Sequence, residues 1–576
     1  MTNEQYPGQQ PDAGAGQPPP APPQQAWGTP ETSQTEWIGT EQPPPGDGGG
    51  ASPAPEGEQG GGGGRRRGLV IGAAVVAVLL IAGGSFAAYT VLSGGGPQPA
   101  EAIPSSAVAY MRVDLDPSAD QKINAVRLLR DVPEFEEETG ITSDTADLRK
   151  RFFEESLADS EGCSDIDYED DIEPWIGDRA GVAAMPGAEG EEPEPLLVLQ
   201  VTDEDAAQTG IEALLECGGA EEATGEDAPG VAFVGDYALI AADDKVDDYA
   251  SEAEDSPLSD DEDFAADMEA LDGEGLMSFW VDVDEMVSLA EQDNPEMGDV
   301  LEAAGIEEVG SISAAVRAQS DALELVVAGD ADVLNLGGSS TEPASDVLTL
   351  PDTTMMAFGF TGGGDTVDRL WDKALALEES GEAGVPPGSM EDFSAQLQAQ
   401  TGFAMPDDLS VLLGEQFTLA VDGEGFDFVT DEGTPDFSSI NVGARLRTDT
   451  DAAADLVDKV QDLLAQQGAP FELVQQEMDG ALVIAANDDY ADSLAGEGQL
   501  GDSDVFDAAV ADSDEAVSIF FLDLNKVGDV ADRLAEDAGE ELPSEAEDTL
   551  DVLQAVGAST TNDGDYSRTT FRLVFD

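Results

Sequence analysis

The sequence predicts an α+β fold: two tandem copies of a domain with a mixed, largely antiparallel sheet and helices, preceded by a disordered tail and one transmembrane helix. Three observations predict it. Short apolar segments alternate with amphipathic segments, which is typical of strands and helices. Several of these segments recur in the same order later in the chain. One long apolar stretch without a charge precedes them all.

The tail is predicted over residues 1–64, which are rich in Gly, Pro and Gln and show no periodicity. Such a segment buries too little apolar surface to offset the entropy of ordering, so we expect it to be disordered and cytoplasmic. A basic flank and the transmembrane helix follow over 65–92. Residues 68–92 form a run of 25 without a charge, and about 20 suffice to cross the hydrocarbon core.

Three arginines at 65–67 stand before this run. Because basic residues mark the cytoplasmic end of such helices, the sequence predicts a single-pass protein of the cell membrane with an extracytoplasmic C-terminal region. The triplet Ser85, Phe86, Ala87 has the small-x-small pattern of a signal-peptidase site, which leaves cleavage after Ala87 open.

The region beyond residue 92 repeats itself. After a linker at 93–102, we predict one copy at 103–335, a second linker at 336–344 and a second copy at 345–576. The matching segments keep their order, and they are 103–110 with 350–357, 174–182 with 411–419, 197–201 with 442–446, 238–242 with 481–486, 278–284 with 518–525, and 324–330 with 571–576. This collinearity indicates a duplication.

The charge of the chain limits its partners. It has 576 residues, with 125 Asp and Glu against 22 Lys and Arg, for a formal net charge of −103. Such a charge repels nucleic acids, so we expect no nucleic-acid partner. Hydrophobic residues make up 41% of the chain, which favours packed domains with acidic surfaces over general disorder.

The chain has no histidine. This removes the commonest general base and the commonest transition-metal ligand. Two cysteines are also too few for a thiolate zinc site. The sequence therefore favours a protein without catalytic residues or a cofactor.

Acidic residues at the ends of predicted strands are the candidate metal ligands. Asp114 and Asp116 alternate with apolar residues in one segment, and Asp282 and Asp284 do so in another. Ca²⁺ prefers such oxygen ligands. A helix is predicted after each segment, however, and Asp at such a junction caps the helix by accepting backbone N–H bonds. The cap is the favoured interpretation.

Several of these segments together carry a resemblance to a known family. They are the Pro-led strand at 103–110, the strand end Val113-Asp114, the turn Trp175-Ile176-Gly177 and the repeated Ser-led aromatic strand at 278–284. With its proline-rich tail, the chain resembles membrane-anchored actinobacterial proteins of domain-of-unknown-function family 3352 over about residues 100–576. The resemblance implies an extracytoplasmic α+β region without an established activity, and it supplies no catalytic residues.

The function expected from these observations is non-enzymatic binding or scaffolding at the cell envelope. The partners would be the cell membrane, through the one helix, and an envelope protein or polysaccharide. The alternative is a hydrolase of envelope polysaccharide that works with two carboxylates. Such an enzyme holds its two carboxyl groups about 5–9.5 Å apart, which a structure can test.

We predict a disulfide between Cys163 and Cys217, because both lie in the region expected to be extracytoplasmic, where disulfides persist. The alternative is two separate small apolar residues in the core. Mass spectrometry of the unreduced protein should find the two cysteine peptides linked. Free thiols at both positions would refute the bridge.

Overall fold

One antiparallel sheet of 16 strands connects the residues that the computed structural model describes. These are residues 98–115, 119–130, 149–151, 153, 157, 162–187, 193–218, 228–273, 275–293, 310–330, 340–380, 386–424, 439–466, 472–478, 480–539, 541–564 and 566–576. All of them belong to one compact unit. The predicted tail lies outside the described residues.

The strands alternate in sequence with helices and hairpins. They are β1 (Ala109–Asp114), β2 (Ile176–Met185), β3 (Glu194–Val201), β4 (Pro229–Val234), β5 (Tyr237–Ala242), β6 (Met277–Asp282), β7 (Ser311–Ala318), β8 (Ala322–Asp330), β9 (Thr354–Thr361), β10 (Gln416–Asp422), β11 (Val442–Arg447), β12 (Val474–Met478), β13 (Ala481–Ala485), β14 (Ser518–Asp523), β15 (Leu553–Asp563) and β16 (Tyr566–Phe575).

The α-helices follow strands and lie on both faces of the sheet. They are α1 (Ala119–Arg130), α2 (Glu204–Cys217), α3 (Val246–Asp255), α4 (Glu262–Ala270), α5 (Val283–Asp293), α6 (Gly363–Ser380), α7 (Ser389–Thr401), α8 (Asp407–Leu413), α9 (Thr450–Gln466), α10 (Asp488–Ala495), α11 (Asp504–Ala509), α12 (Leu524–Ala538) and α13 (Ser544–Val552). Asp203 is the N-cap of α2, because its Oδ1 accepts a hydrogen bond from the Ala206 N–H at 2.9 Å.

The order of the strands has an internal symmetry. It runs β12-β13-β11-β10-β9-β14-β15-β16-β8-β7-β6-β1-β2-β3-β5-β4. When β1 to β8 are matched in turn with β9 to β16, each half of the sheet has the same order from its edge to its centre. In place of the predicted mixed sheets of two domains, the structure has a single sheet in which neighbouring strands are antiparallel. The predicted domain boundaries themselves stay a prediction.

The predicted membrane architecture requires a correction. Among the described residues, no helix combines the length and the apolar character needed to cross a membrane. Even α6, with 18 residues, contains charged side chains along its length, and such side chains are costly in hydrocarbon. On this finding the single-pass architecture, and with it the localisation at the cell membrane, is wrong for the structure as described. The segment 65–92 and the cleavage position at Ala87 lie outside the described residues.

The two faces of the sheet are buried to different extents. One face, which we call the core face, packs under α3, α4, α10 and α11, and its side chains form two large buried clusters. Tyr110 and Trp280 belong to one cluster, and Phe506 and Phe521 to the other. The opposite face is covered at its outer strands and along one side of its centre by smaller clusters under other helices. Its central strands keep side chains that are only partly buried.

The centre of the sheet is the pairing of β8 with β16, which we call the seam. Nine residues of each strand pair there, from Tyr566 opposite Asp330 to Val574 opposite Ala322. On the core face of the seam, the Glu324 carboxylate is buried and accepts hydrogen bonds from Arg572 Nε at 2.8 Å and from Arg317 Nη1 at 3.3 Å. One carboxylate thus ties β7, β8 and β16 together.

We expect Glu324→Gln to lower the free energy of unfolding by about 3 kcal/mol, because it leaves two partly buried guanidinium groups without their carboxylate. The matched control is Asp512→Asn, which removes the carboxylate partner of Arg568. Arg568 lies on β16, as Arg572 does. The pair of Arg568 with Asp512 is well exposed, so its loss should cost less than about 1 kcal/mol. Urea denaturation measures both. Equal effects of the two variants would contradict the structural role of Glu324.

Candidate functional site: the apolar surface at the seam

The three candidate metal ligands that the structure describes, Asp114, Asp282 and Asp284, are engaged by other groups. Asp114 is buried, and its carboxylate accepts hydrogen bonds from Arg112 Nη2 at 2.8 Å and from Arg179 Nε at 3.1 Å. Burial raises the pKa of Asp114 to about 6, against the opposing effect of the two guanidinium groups. A carboxylate enclosed in this way has no access to a cation or a substrate.

The second pair of acids serves the backbone. Asp282 Oδ1 accepts a hydrogen bond from the Glu285 N–H at 2.9 Å, which is the geometry of an N-cap at the start of α5. Asp284 Oδ2 accepts one from the Gly310 N–H at 3.1 Å. Asp116 lies outside the described residues. Within the described part of the chain, no group of three or more acids or cysteines is placed to hold a metal ion.

The two cysteines lie close together, with their Sγ atoms 1.98 Å apart and their Cα atoms 4.9 Å apart. This pairing would join the end of α2 to the loop that leads into β2. The segment between them contains β2 and β3, which contribute to the outer part of the sheet and not to its centre. The cysteines therefore lie away from the seam.

A second buried carboxylate, Asp267 on α4, lies on the core face near the seam. Its Oδ2 accepts hydrogen bonds from Trp280 Nε1 at 2.7 Å and from the Ser311 hydroxyl, and its Oδ1 accepts one from the Tyr566 hydroxyl at 2.7 Å. Burial and this bond raise the pKa of Tyr566 to about 12. Both carboxylate oxygens are thus occupied by neutral donors, and the group connects β16 to the first half of the sheet.

Carboxylates also line two cavities on either side of Arg572, with volumes of about 420 and 340 Å³. Asp507 contributes to both cavities, and the remaining acidic side chains belong to the surrounding loops and α11. These side chains lie on solvent-facing loops and a short helix, so a solvated acidic surface explains them.

The opposite face of the central strands is of a different kind, because its exposed side chains are apolar. Cross-strand partners place one apolar residue after another in a row over fifteen neighbouring strands, since partners in register project from the same face. The row consists of Phe233, Ala238, Leu199, Ala180, Val113, Met277, Val316, Leu325, Phe571, Ala558, Phe520, Phe358, Leu419, Ala444 and Ile484.

The row is partly or fully buried along most of its length and is most exposed at the seam. Leu325 and Phe571, which face each other across the seam, are 38% and 45% exposed. On β6 the member of the row, Met277, is buried, and Phe279, two residues further along the same face, is 36% exposed. Phe520 and Phe358 continue this surface as half-buried rings. We call these five side chains the seam surface.

The seam surface joins residues that are far apart in the sequence, so sequence reasoning missed it. It needs β8 and β16 to be neighbours and in register, which no local pattern indicates. The available signal was the alternation in β6, where Phe279 and Trp280 must face opposite sides. Trp280 is buried in the core. Its neighbour Phe279 must therefore project from the opposite face of the sheet.

Comparison with known proteins gives one match. The family model described as Protein of unknown function (DUF3352) matches residues 69–575, which is the family that the sequence resembles. No curated protein matches the chain, and no solved structure matches it.

We expect Ca²⁺ to stabilise the protein no more than Mg²⁺ does at the same millimolar concentration. Asp114 is engaged by two arginines and Asp282 caps a helix, so both carboxylates already have partners other than a cation. Thermal melts in each cation and in EDTA test this, with Mg²⁺ as the control for general screening of the acidic surface. A higher midpoint in Ca²⁺ alone would contradict it.

Proposed function

The chain belongs to the family of proteins of unknown function DUF3352, and from that premise we propose that it is a non-enzymatic protein that binds an apolar ligand on the seam surface. The observation that carries the proposal is the exposure of Phe279, Leu325 and Phe571 on the central strands of the sheet. Single exposed apolar residues are ordinary, but a contiguous patch of them marks a binding surface.

The chemistry of the surface favours an apolar ligand over a polysaccharide. Sugar hydroxyls buried against these five side chains would lose their bonds to water and gain none, and each unsatisfied group costs about 1–3 kcal/mol. A hydrocarbon chain or a flat apolar molecule loses nothing by the same contact and gains about 25 cal/mol for each Å² of apolar surface buried. Of the partners predicted from the sequence, a polysaccharide is thus the poorer fit.

An envelope protein remains the other predicted partner. A protein would need to present a comparable apolar surface, whereas a small ligand needs only to fit between the helices that flank the seam. Ile123 on α1 and Met286 on α5 are also exposed, and these helices pack on β7 and β8 and on β6 and β7. They extend the apolar surroundings of the seam surface, which supports a ligand that lies among them.

The carboxylate hydrolase has less support from the arrangement of the acids. A glycosidase needs a general acid with a raised pKa that reaches the glycosidic oxygen. Asp114 has a raised pKa, but it is only 2% exposed and is held between Arg112 and Arg179. It therefore cannot touch a polysaccharide, and the seam surface itself contains no carboxylate.

We expect the protein to bind Nile red, an uncharged apolar dye, and Phe571→Ser to weaken that binding about tenfold, because a ring in contact with the dye is lost. Fluorescence titration measures the affinity. The matched control is Phe393→Ser, which removes an equally exposed ring (53%) on α7.

The proposal fails if the dye does not bind, or if both variants weaken binding equally. If Phe571→Ser leaves dye binding intact but abolishes capture of a protein from solution, the seam surface is a protein interface instead. Since Phe571 is half exposed, the variant should keep its midpoint in urea, which establishes that the loss is not one of folding.

A further inference from the structure

Three hydroxyl side chains lie directly beside the seam surface, on the same face of the sheet. Thr569 on β16 pairs with Thr560 on β15, and Thr560 pairs with Ser518 on β14. Two residues further along the same strands, Phe571, Ala558 and Phe520 form the central part of the apolar row. Polar and apolar rows thus run side by side across three strands.

The hydroxyl row occurs in one half of the sheet only. We matched the strands β6, β7 and β8 of the first half with β14, β15 and β16 of the second half, using the cross-strand partners. The residues equivalent to Ser518, Thr560 and Thr569 are then Met277, Val316 and Leu325, in that order. The first half therefore continues the apolar row where the second half offers hydroxyls. Over these six strands, this face of the sheet is therefore apolar on both sides of the seam, and it carries hydroxyl groups only on β14, β15 and β16.

Thr569 and Ser518 are partly exposed and retain hydrogen-bonding capacity, whereas Thr560 is buried beneath them at 9% exposure. The Thr560 and Thr569 Oγ1 atoms are 3.0 Å apart and share one hydrogen bond, while a hydroxyl can both donate and accept. Ser567, two residues before Thr569 on the same face of β16, is buried, and its hydroxyl has no hydrogen-bond partner within the described residues. Because Ser567 is fully buried, it does not itself contact a ligand on this surface.

The charge of the protein selects among possible polar headgroups. With a net charge of −103, the surroundings of the seam repel carboxylates, phosphates and sulfates. Hydroxyl side chains, for their part, bind uncharged hydroxyl and ester oxygens without an ionic partner. A headgroup of this kind exchanges hydrogen bonds with water for hydrogen bonds with Thr569 and Ser518.

We propose that the ligand of the seam surface is an amphiphile with an uncharged hydroxyl- or ester-bearing headgroup, such as a monoacylglycerol. The headgroup lies on the partly exposed Thr569 and Ser518, with the buried Thr560 bonded to Thr569 between them, and the acyl chain lies across the seam on Phe571, Leu325 and Phe279. This inference rests on the proposed binding of an apolar ligand and names its chemical class.

The width of the exposed part of the sheet agrees with the length of one acyl chain. Six neighbouring strands, from β14 to β6, span five intervals of about 4.8 Å, or about 24 Å in all. The two leaflets of a bilayer fill about 30 Å of hydrocarbon, so a single chain needs about 15 Å. The exposed part of the sheet is thus long enough for one chain and its headgroup, but not for two chains end to end.

The test compares two amphiphiles of equal chain length below their aggregation concentrations: glycerol monolaurate, which is uncharged, and laurate, which is anionic. Each is titrated against the protein with bound Nile red, and displacement of the dye is followed by fluorescence. We expect glycerol monolaurate to displace the dye at a concentration at least tenfold lower than laurate at low ionic strength.

The hydroxyl row is tested by Thr569→Val, which keeps the shape of the side chain and removes one hydroxyl. We expect it to weaken glycerol monolaurate roughly three- to tenfold, the effect of one hydrogen bond, and to leave Nile red affinity unchanged. The matched control is Thr570→Val, on the same strand but on the core face, which should change neither.

The outcomes separate the two proposals. If Nile red binds but laurate displaces it as well as glycerol monolaurate does at low and at high salt, the headgroup assignment is wrong and the apolar site stands. The same holds if Thr569→Val has no effect on glycerol monolaurate. If Nile red itself does not bind, the proposed function fails, and this inference fails with it.

Discussion

The structure depends on the pairing of β8 with β16. Without it, each half would end in a strand with an unpaired row of N–H and C=O groups, which is a site for aggregation. A slip of this pairing by one residue would also exchange the faces of every side chain on one strand. The bonds from Arg317 and Arg572 to the Glu324 carboxylate fix the register, because Glu324 and Arg572 are direct partners across the seam. The seam surface on the other face follows from that register.

The two halves share a backbone plan but differ in their buried polar groups. In the first half Arg112 on β1 reaches Asp114, whereas in the second half Arg445 on β11 donates to the carbonyl oxygens of Asp346 and Leu494. The position that matches Arg112 is Gly359, where a Cβ atom would collide with Val347. The buried guanidinium of Arg112 in the first half thus corresponds to a close contact between Gly359 and Val347 in the second half. The same kind of divergence puts hydroxyls beside the seam surface in one half alone.

Strands and helices could be predicted where the signal is local, because alternation and capping residues act over a few positions. Asp282 was expected to cap a helix and does so. The environment of Asp114 could not be predicted, since Arg179 becomes its neighbour only through the register of β1 with β2. The seam surface depends on contacts over a still longer range: Leu325 and Phe571 meet because the last strands of the two halves pair. No pattern within either strand contains that information.

The negative charge of the chain opposes the self-association that its exposed apolar surface would otherwise favour. An exposed apolar patch favours association of copies, while a net charge of −103 opposes it through long-range repulsion. The repulsion acts between two copies, but it acts hardly at all on an uncharged molecule. At about 0.1 M salt the screening length is about 10 Å, so the repulsion acts once two copies come within about that distance. The charge therefore keeps the surface accessible to the class of ligand that it does not repel, and a neutral chain meets the apolar contact without the electrostatic barrier.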